Sequence, residues 1–295
     1  KNAGYVEFGK NTRIAILSGF YTAMNIRTIN KLCIFTLSLL AFHAYGQSAK
    51  SAIPTVEIKG VLWDQHEMTI GEVKRFASAT GFQSTAEKAG GGTSYELGFV
   101  KKPGWTWRTP YGVPAGDNEP AVHLNAFEAQ AICQYFGKRL PSDKEWVEAA
   151  YLEQRPSPPT GFTKGQRYPY PNGLNTKGSH CLSSACGNFK GLAPAGSLTR
   201  GEGHVAAGTT QAGVNGLLDM GGNVWEWTSD AYHVQSLKKD VKRRLVQMKG
   251  FKLSKGGSFL CHKSYCYRYR IAARSGTSPD SATPHHGFRV VWDAV

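Results

Sequence analysis

The stretch Asn125-Ala126-Phe127-Glu128-Ala129-Gln130-Ala131-Ile132-Cys133-Gln134-Tyr135-Phe136-Gly137 decides how the chain is read. Asn125 and Glu128 have the spacing of a capping box, in which the first side chain bonds the N–H three residues on and the glutamate bonds back. Ala129, Ile132, Cys133 and Phe136 then recur at helical spacing. Gly137 supplies the residue that most easily leaves a helix in the left-handed conformation. The same device recurs downstream in Ser142-Asp143-Lys144-Glu145, with Trp146 and Ala149 on the apolar side. It also stands upstream in Thr69-Ile70-Gly71-Glu72, followed by Val73, Phe76 and Ala77 and stopped by Gly81. These patterns predict three short capped helices.

Outward from them, regular periodicity fades. Residues 84–120 and 155–215 are rich in Gly, Pro, Ser, Thr and Asn and read as long ordered loops. Alternation or β-branched content predicts strands at 56–63, 258–260, 267–273 and 287–292. No internal repeat and no low-complexity tail is visible. Loops this long in a compact domain carry function or are held by metals or disulfides.

The 295 residues suit one large domain or two small ones, and 41% apolar content excludes a disordered chain. The net charge of +14 suits an anionic partner such as nucleic acid, an acidic polymer or a membrane. No zinc-finger spacing, no RNA-binding aromatic signature and no Lys/Arg block of useful length accompanies it, so no nucleic-acid partner is expected.

Residues 24–46 read as a secretory signal. Arg27 and Lys31 precede a largely apolar run from Leu32 to Phe42, and Ala44-Tyr45-Gly46 offers small residues before Gln47. The run is short for a membrane span. Residues 1–23 are read as upstream sequence and 47–295 as the mature domain, exported to a periplasmic or extracellular space. A membrane contact is expected only if the segment stays uncleaved.

Export makes disulfides permissible. The mature part holds Cys133, Cys181, Cys186, Cys261 and Cys266, an odd set that leaves at least one without a partner in the chain. Cys181 and Cys186 lie in a Gly/Ser-rich stretch and suit a local disulfide. Cys133, on the predicted helix, suits a buried thiol. Cys261 and Cys266 lie in Gly256-Gly257-Ser258-Phe259-Leu260-Cys261-His262-Lys263-Ser264-Tyr265-Cys266-Tyr267-Arg268-Tyr269-Arg270. Five residues apart, they point to opposite faces of a straight strand and need a bend to converge. Converging thiolates are soft donors, and two of them suit Cu(I) better than zinc or an iron–sulfur cluster, each of which asks for four ligands. Lys263, Arg268 and Arg270 favour thiolate over thiol. A structural disulfide fits the same spacing.

This segment, continued through Ile271-Ala272-Ala273-Arg274-Ser275, resembles the active-site strand of formylglycine-generating enzymes. Gly222-Asn223-Val224-Trp225-Glu226-Trp227-Thr228-Ser229-Asp230, Gly137-Lys138-Arg139-Leu140-Pro141-Ser142 and Gly287-Phe288-Arg289-Val290-Val291 are similar to signatures of the wider sulfatase-modifying-factor family. That family also contains sulfoxide synthases, pigment-maturation enzymes and non-catalytic binding domains. The pair Cys261 and Cys266 discriminates among them.

The resemblance implies an α+β fold, a single domain with little regular structure related to C-type-lectin-like arrangements. It implies an oxidase that uses O2 and Cu(I) to convert the cysteine of a sulfatase Cys-x-Pro-x-Arg segment to Cα-formylglycine, the partner being an unfolded or nascent sulfatase polypeptide. Cys261 and Cys266 would ligate copper, Ser258 and His262 would line the site, and Trp225 would wall the oxygen pocket. Structural Ca2+ would lie at Asp219, Gly222, Val224 and Glu226, a set of hard oxygen donors. Asn188 and Phe189, with Glu202 and His204, would form a second calcium site. His285 stands where the family often has Asn in a substrate-lining position. A binding module on the same scaffold, or a copper oxidase with another thiol substrate, is the alternative.

Overall fold

The computed structural model describes residues 53–294 apart from 183, 235–237, 265–268 and 272. Cys266, residues 1–52 and much of the strand predicted at 267–273 lie outside the described residues. The described chain is an α+β domain with short helices and small sheets, as the resemblance implied. In chain order the helices are α1 (Ile70–Thr80), α2 (Thr85–Lys88), α3 (Ala126–Tyr135), α4 (Asp143–Tyr151) and α5 (Lys239–Gln247). The strands are β1 (Thr55–Ile58), β2 (Val61–Asp64), β3 (Thr93–Tyr95), β4 (Phe99–Lys101), β5 (Trp225–Ala231), β6 (Lys252–Lys255), β7 (Ser275–Thr277), β8 (His286–Phe288) and β9 (Val291–Asp293).

The three predicted helices form where their caps place them. Asn125 Oδ1 accepts from the N–H groups of Phe127 and Glu128, and Glu128 accepts from the Asn125 N–H. Ser142 and Glu145 make the same reciprocal pair on α4. Thr69 caps α1, and Gly81 ends it at φ 70°. The short α2 carries a further box, Ser84 with Glu87, inside a segment read from composition as loop. Its single turn is too brief for apolar periodicity, but its cap was readable.

Strand expectations fare less well. Residues 56–63 form a hairpin, because Lys59 at φ 52° and Gly60 at φ 77° reverse the chain between β1 and β2. Residues 258–260 form a turn, because Gly256 and Gly257 both have positive φ just before them. The described part of 269–273 is also turn, and 287–292 divides between β8 and β9 in different sheets.

Three sheets result: β1-β2-β9, the hairpin β3-β4, and β7-β6-β5-β8. In the last, β5 runs parallel to β8 with Trp225, Glu226 and Trp227 opposite His286, Gly287 and Phe288. One core packs α1 and α3 against Trp107, Trp227, Phe288 and Val290. A second packs α4 against Trp63, Trp146, Leu217, Met220 and Val291. Between them Arg289, fully buried, donates to both oxygens of Glu226 and to the carbonyls of Asp64, Gln65 and Leu218. This guanidinium explains the break between β8 and β9: the chain turns there to aim Arg289 inward.

Candidate active site around Cys261

The double glycine sets up the site. Gly257, at φ 85°, is packed so that a Cβ would lie 3.3 Å from Cys261 Sγ and 3.1 Å from the Tyr269 ring. After it, the Cys261 N–H bonds the Ser258 carbonyl at 2.9 Å, and the Ser258 N–H points at Cys261 Sγ at 3.5 Å. This turn, rather than a strand, aims Cys261 inward to 3% exposure. Ser258, also buried, accepts from the Leu260 N–H through its hydroxyl oxygen at 3.3 Å.

Trp225 and Tyr269 close on Cys261 as one buried apolar cluster, with Tyr170, Cys181 and Cys186 packed against it. Cys181 and Cys186 form the expected disulfide. The Leu182 N–H donates to the Cys261 carbonyl at 3.0 Å, tying that small loop to the site. Tyr269 is held from below by Tyr151, whose hydroxyl donates to the Tyr269 carbonyl at 2.8 Å. Cys261 is itself disulfide-bonded, and its partner lies outside the described residues. The structure therefore gathers Cys261, Ser258 and Trp225. His262 sits at the rim, half-exposed, with Nδ1 2.7 Å from the Ser264 hydroxyl.

Behind Trp225 stand two histidines that sequence periodicity gave no reason to bury. His286 stacks on Trp227 with centroids 4.3 Å apart and lies 6.3 Å from the Trp225 ring. Its Nε2 meets the Ser254 hydroxyl at 2.7 Å, and burial holds its pKa well below the ordinary imidazole value. The His285 carbonyl accepts from the Trp225 N–H, while the His285 Nδ1 is buried without a hydrogen-bond partner. Burial, together with the charges of His123 and Arg200, lowers its pKa to about 3. At neutral pH it is a neutral imidazole.

The loop before β5 explains the Gly-Asn of the signature. A Cβ at Gly222 would lie 2.1 Å from the His180 carbonyl oxygen, so only glycine fits there. Asn223, in the left-handed region at φ 49°, accepts from Val205 N–H and donates to Glu67 Oε1. Its backbone pairs with His180 and Phe259, so one residue joins four segments around the site.

The residues expected to hold cations serve mixed roles. Asp219 is buried at φ 59° and accepts from the N–H groups of Gly208 and Thr210. Next to it is Glu67, which the sequence reading missed; its Oε2 is buried and makes no hydrogen bond. Burial and the neighbouring Asp219 push its pKa well above the usual carboxylate range. Glu226 is met by Arg289 at both oxygens, and the Trp146 indole N–H donates to Oε2 at 2.7 Å. His204 is likewise met. Its Nδ1 is 2.7 Å from the Tyr111 hydroxyl and its Nε2 2.8 Å from Glu119, so both ring nitrogens are engaged. Asn188 is exposed, and the Phe189 ring packs 6.0 Å from that of His180. Glu202 accepts from the Gly191 N–H, in a loop whose backbone pairs Leu192 with His204 and Ala193 with Glu202. At both residues the sequence shows a ligand-type side chain but not the partner that meets it from a distant segment.

Comparison with known proteins gives a consistent result. The chain is 31% identical over 270 residues to the formylglycine-generating enzyme of Mus musculus, covering 84% of this chain and 70% of that protein. It is 33% identical over 196 residues to the inactive C-alpha-formylglycine-generating enzyme 2 of Bos taurus, covering 62% of this chain and 54% of that protein. Among solved structures it is similar to that of PvdO from Pseudomonas aeruginosa, with a TM-score of 0.49 and 17% identity over 79% of this chain and 80% of that one. A model described as the Sulfatase-modifying factor enzyme 1-like domain matches residues 36–294, and the chain belongs to that family.

Proposed function

We propose that this protein oxidises a cysteine side chain of a sulfatase polypeptide to Cα-formylglycine, with O2 as electron acceptor and copper held by Cys261 and Cys266. The observation that carries the proposal is the turn at Gly257–Cys261, which buries one thiol of the pair against Trp225 and Tyr269. The similarity to formylglycine-generating enzymes over most of the chain supports the same reading.

The chemistry is a two-electron oxidation at the substrate Cβ. The R–CH2–SH group loses two protons and two electrons to become R–CH=S, which takes O2 to the level of hydrogen peroxide, or to water where an external thiol supplies two further electrons and protons. Water then converts the thioaldehyde to R–CHO with release of hydrogen sulfide. The donor set fits copper: a soft sulfur in a water-poor, apolar setting suits Cu(I). Cys261 must first be reduced from its disulfide to become a ligand. Bound copper would supply the one-electron steps that couple O2 to the substrate cysteine.

The chain's own residues have separate tasks. Trp225 and Tyr269 exclude water from Cys261, and glycine at 257 leaves room beside the sulfur. Ser258 offers its hydroxyl proton to a polar group of the substrate, since its oxygen already accepts from Leu260. His262 at the rim is placed to meet the incoming chain. We place a structural Ca2+ at the loop of Asp219, Gly222, Val224 and Glu226, where the Glu67 carboxyl lies against that of Asp219 and adds a further oxygen donor.

The test uses the reduced protein, titrated with Cu(I) and incubated in air with a Cys-x-Pro-x-Arg peptide. Aldehyde formation seen by mass spectrometry, absent in Cys261→Ser and Cys266→Ser, is the expected result. No conversion, with no Cu(I) taken up after reduction, overturns it. That outcome would favour a second reading, a non-catalytic binding module, which the similarity to a relative named as inactive keeps in play.

A further inference from the structure

Part of the basic charge of this chain is gathered on one exposed helix. Between β5 and β6 stands α5, and none of its residues is buried. Helical winding puts Val241, Leu245 and Met248 on one side, and these are its half-buried positions. Met248 seats the helix on the body: a Cβ at Gly276 would lie 2.5 Å from Met248 Cε and 2.6 Å from the Tyr232 ring.

The remaining surface is cationic. Lys238, Lys239, Lys242, Arg243, Arg244 and Lys249 are all exposed. The one acid on the helix, Asp240, lies 4.0 Å from Arg244. Lys239, Lys242, Arg243 and Lys249 make no ion pair among the described residues. In their midst Val246 is 74% exposed. Read linearly, Lys238-Lys239 and Lys242-Arg243-Arg244 form a short basic run broken only by Asp240 and Val241, which corrects the reading that the chain has no such block. Coiled into a helix, they form one face.

We propose that the outward face of α5 is a docking surface for anionic phospholipid headgroups. A helix flank lying across the body offers a flat row of cations, and its complement is a flat, multivalent anionic surface. Each Lys or Arg held near such a surface adds attraction, and long stems let the charged ends reach phosphates while the exposed Val246 enters the headgroup boundary. A neutral polysaccharide chain asks instead for a groove with stacking platforms, while a sulfated one competes for the same cations but offers nothing to the exposed Val246. The hollow beside the helix is lined by Asp240, Arg243, Arg244 and Gln247, with no aromatic ring. This proposal does not depend on the oxidase reading.

The test is co-sedimentation of the full chain with vesicles of phosphatidylcholine alone and of equal parts phosphatidylcholine and phosphatidylglycerol. The apolar segment at residues 32–42 and the cations before it, Arg27 and Lys31 among them, add binding of their own, so the part of the anionic preference that is lost in the α5 variant is the readout. The protein is expected to prefer phosphatidylglycerol vesicles, with the preference fading as salt rises. Combined Lys239→Glu, Lys242→Glu and Arg243→Glu is expected to reduce that preference on the order of a hundredfold. A circular dichroism spectrum and thermal melt like those of the parent will show that the variant is folded. Equal binding to both vesicles, or an undiminished preference in the folded variant, overturns the proposal. Binding of a soluble sulfated polysaccharide without any preference for phosphatidylglycerol also overturns it and reassigns the face to anionic sugars.

Discussion

Glu226 illustrates what a single residue's sequence context conceals. In the sequence it stands among hydrogen-bonding residues and invites a cation. In the structure the cation is Arg289, which approaches from the closing Gly-Phe-Arg signature and is as deeply buried as its partner. A buried pair broken on one side leaves an uncompensated charge, which costs about 3–5 kcal/mol. Arg289→Met is therefore expected to lower unfolding free energy by about that amount in urea titration, and Glu226→Gln to do likewise. The double replacement Glu226→Met with Arg289→Met should recover part of the loss; if it adds the two single losses instead, the pair is not the cause. At Glu67 the argument runs the other way, because its buried Oε2 finds no donor among the described residues and its carboxyl faces a second one, Asp219. Calcium is expected to raise the melting temperature and EDTA to lower it. Glu67→Gln should abolish most of that difference, and a response unchanged in this variant would remove Glu67 from the site.

At the scale of elements, the caps were the most legible feature. A capping box is a local exchange between a side chain and an N–H three residues away, so four letters suffice to read it. Strands were poorly legible here, because each needs a partner from elsewhere and several are only three residues long. The single run expected at 56–63 becomes a hairpin at Lys59-Gly60, and the turn at Gly257 replaces the strand expected at Ser258. The basic face of α5 was legible in the sequence as Lys238-Lys239 and Lys242-Arg243-Arg244; what the letters do not show is that helical winding leaves this run exposed on the surface. On α4, Ser142 and Glu145 give two predictions. Ser142→Ala is expected to cost about 1 kcal/mol in stability. Glu145 bonds Arg139 through both oxygens, and these bonds, with the Ser142 cap, depress its pKa to about 2 from an ordinary value of 4.5. The folded state holds the charged form more favourably than the unfolded state, so the stabilisation is present above pH 4.5 and is lost as pH falls toward 2. Melting temperatures across that window should fall less steeply in Glu145→Gln than in the parent; parallel slopes would refute the assignment.

For the molecule as a whole, the question is whether its two cores unfold as one. They share little but β5, the segment 288–291 and the Glu226–Arg289 pair that crosses between them. The cysteines expected to pair locally did so, and Cys133 proved the buried thiol its helical position suggested. What the sequence could not show is how Trp107 from a loop, Trp227 from β5 and Phe288 from β8 close over it, since each arrives from a distant segment. That closure makes Cys133 a reporter: it is inaccessible, and burial raises its thiol pKa far above the ordinary range. In the native protein a thiol reagent should leave it unmodified, as followed by peptide mapping that separates it from every other cysteine. Across a urea titration, labelling of Cys133 reports the first core, and amide hydrogen exchange along α4 reports the second. Because the buried ion pair makes opening of one core expose a charge in the other, the two transitions are expected to coincide. They should separate in Arg289→Met, where that coupling is gone. Separate transitions in the parent would show instead that the shared strand and the ion pair are too weak to join the cores, and that the domain is two cooperative units.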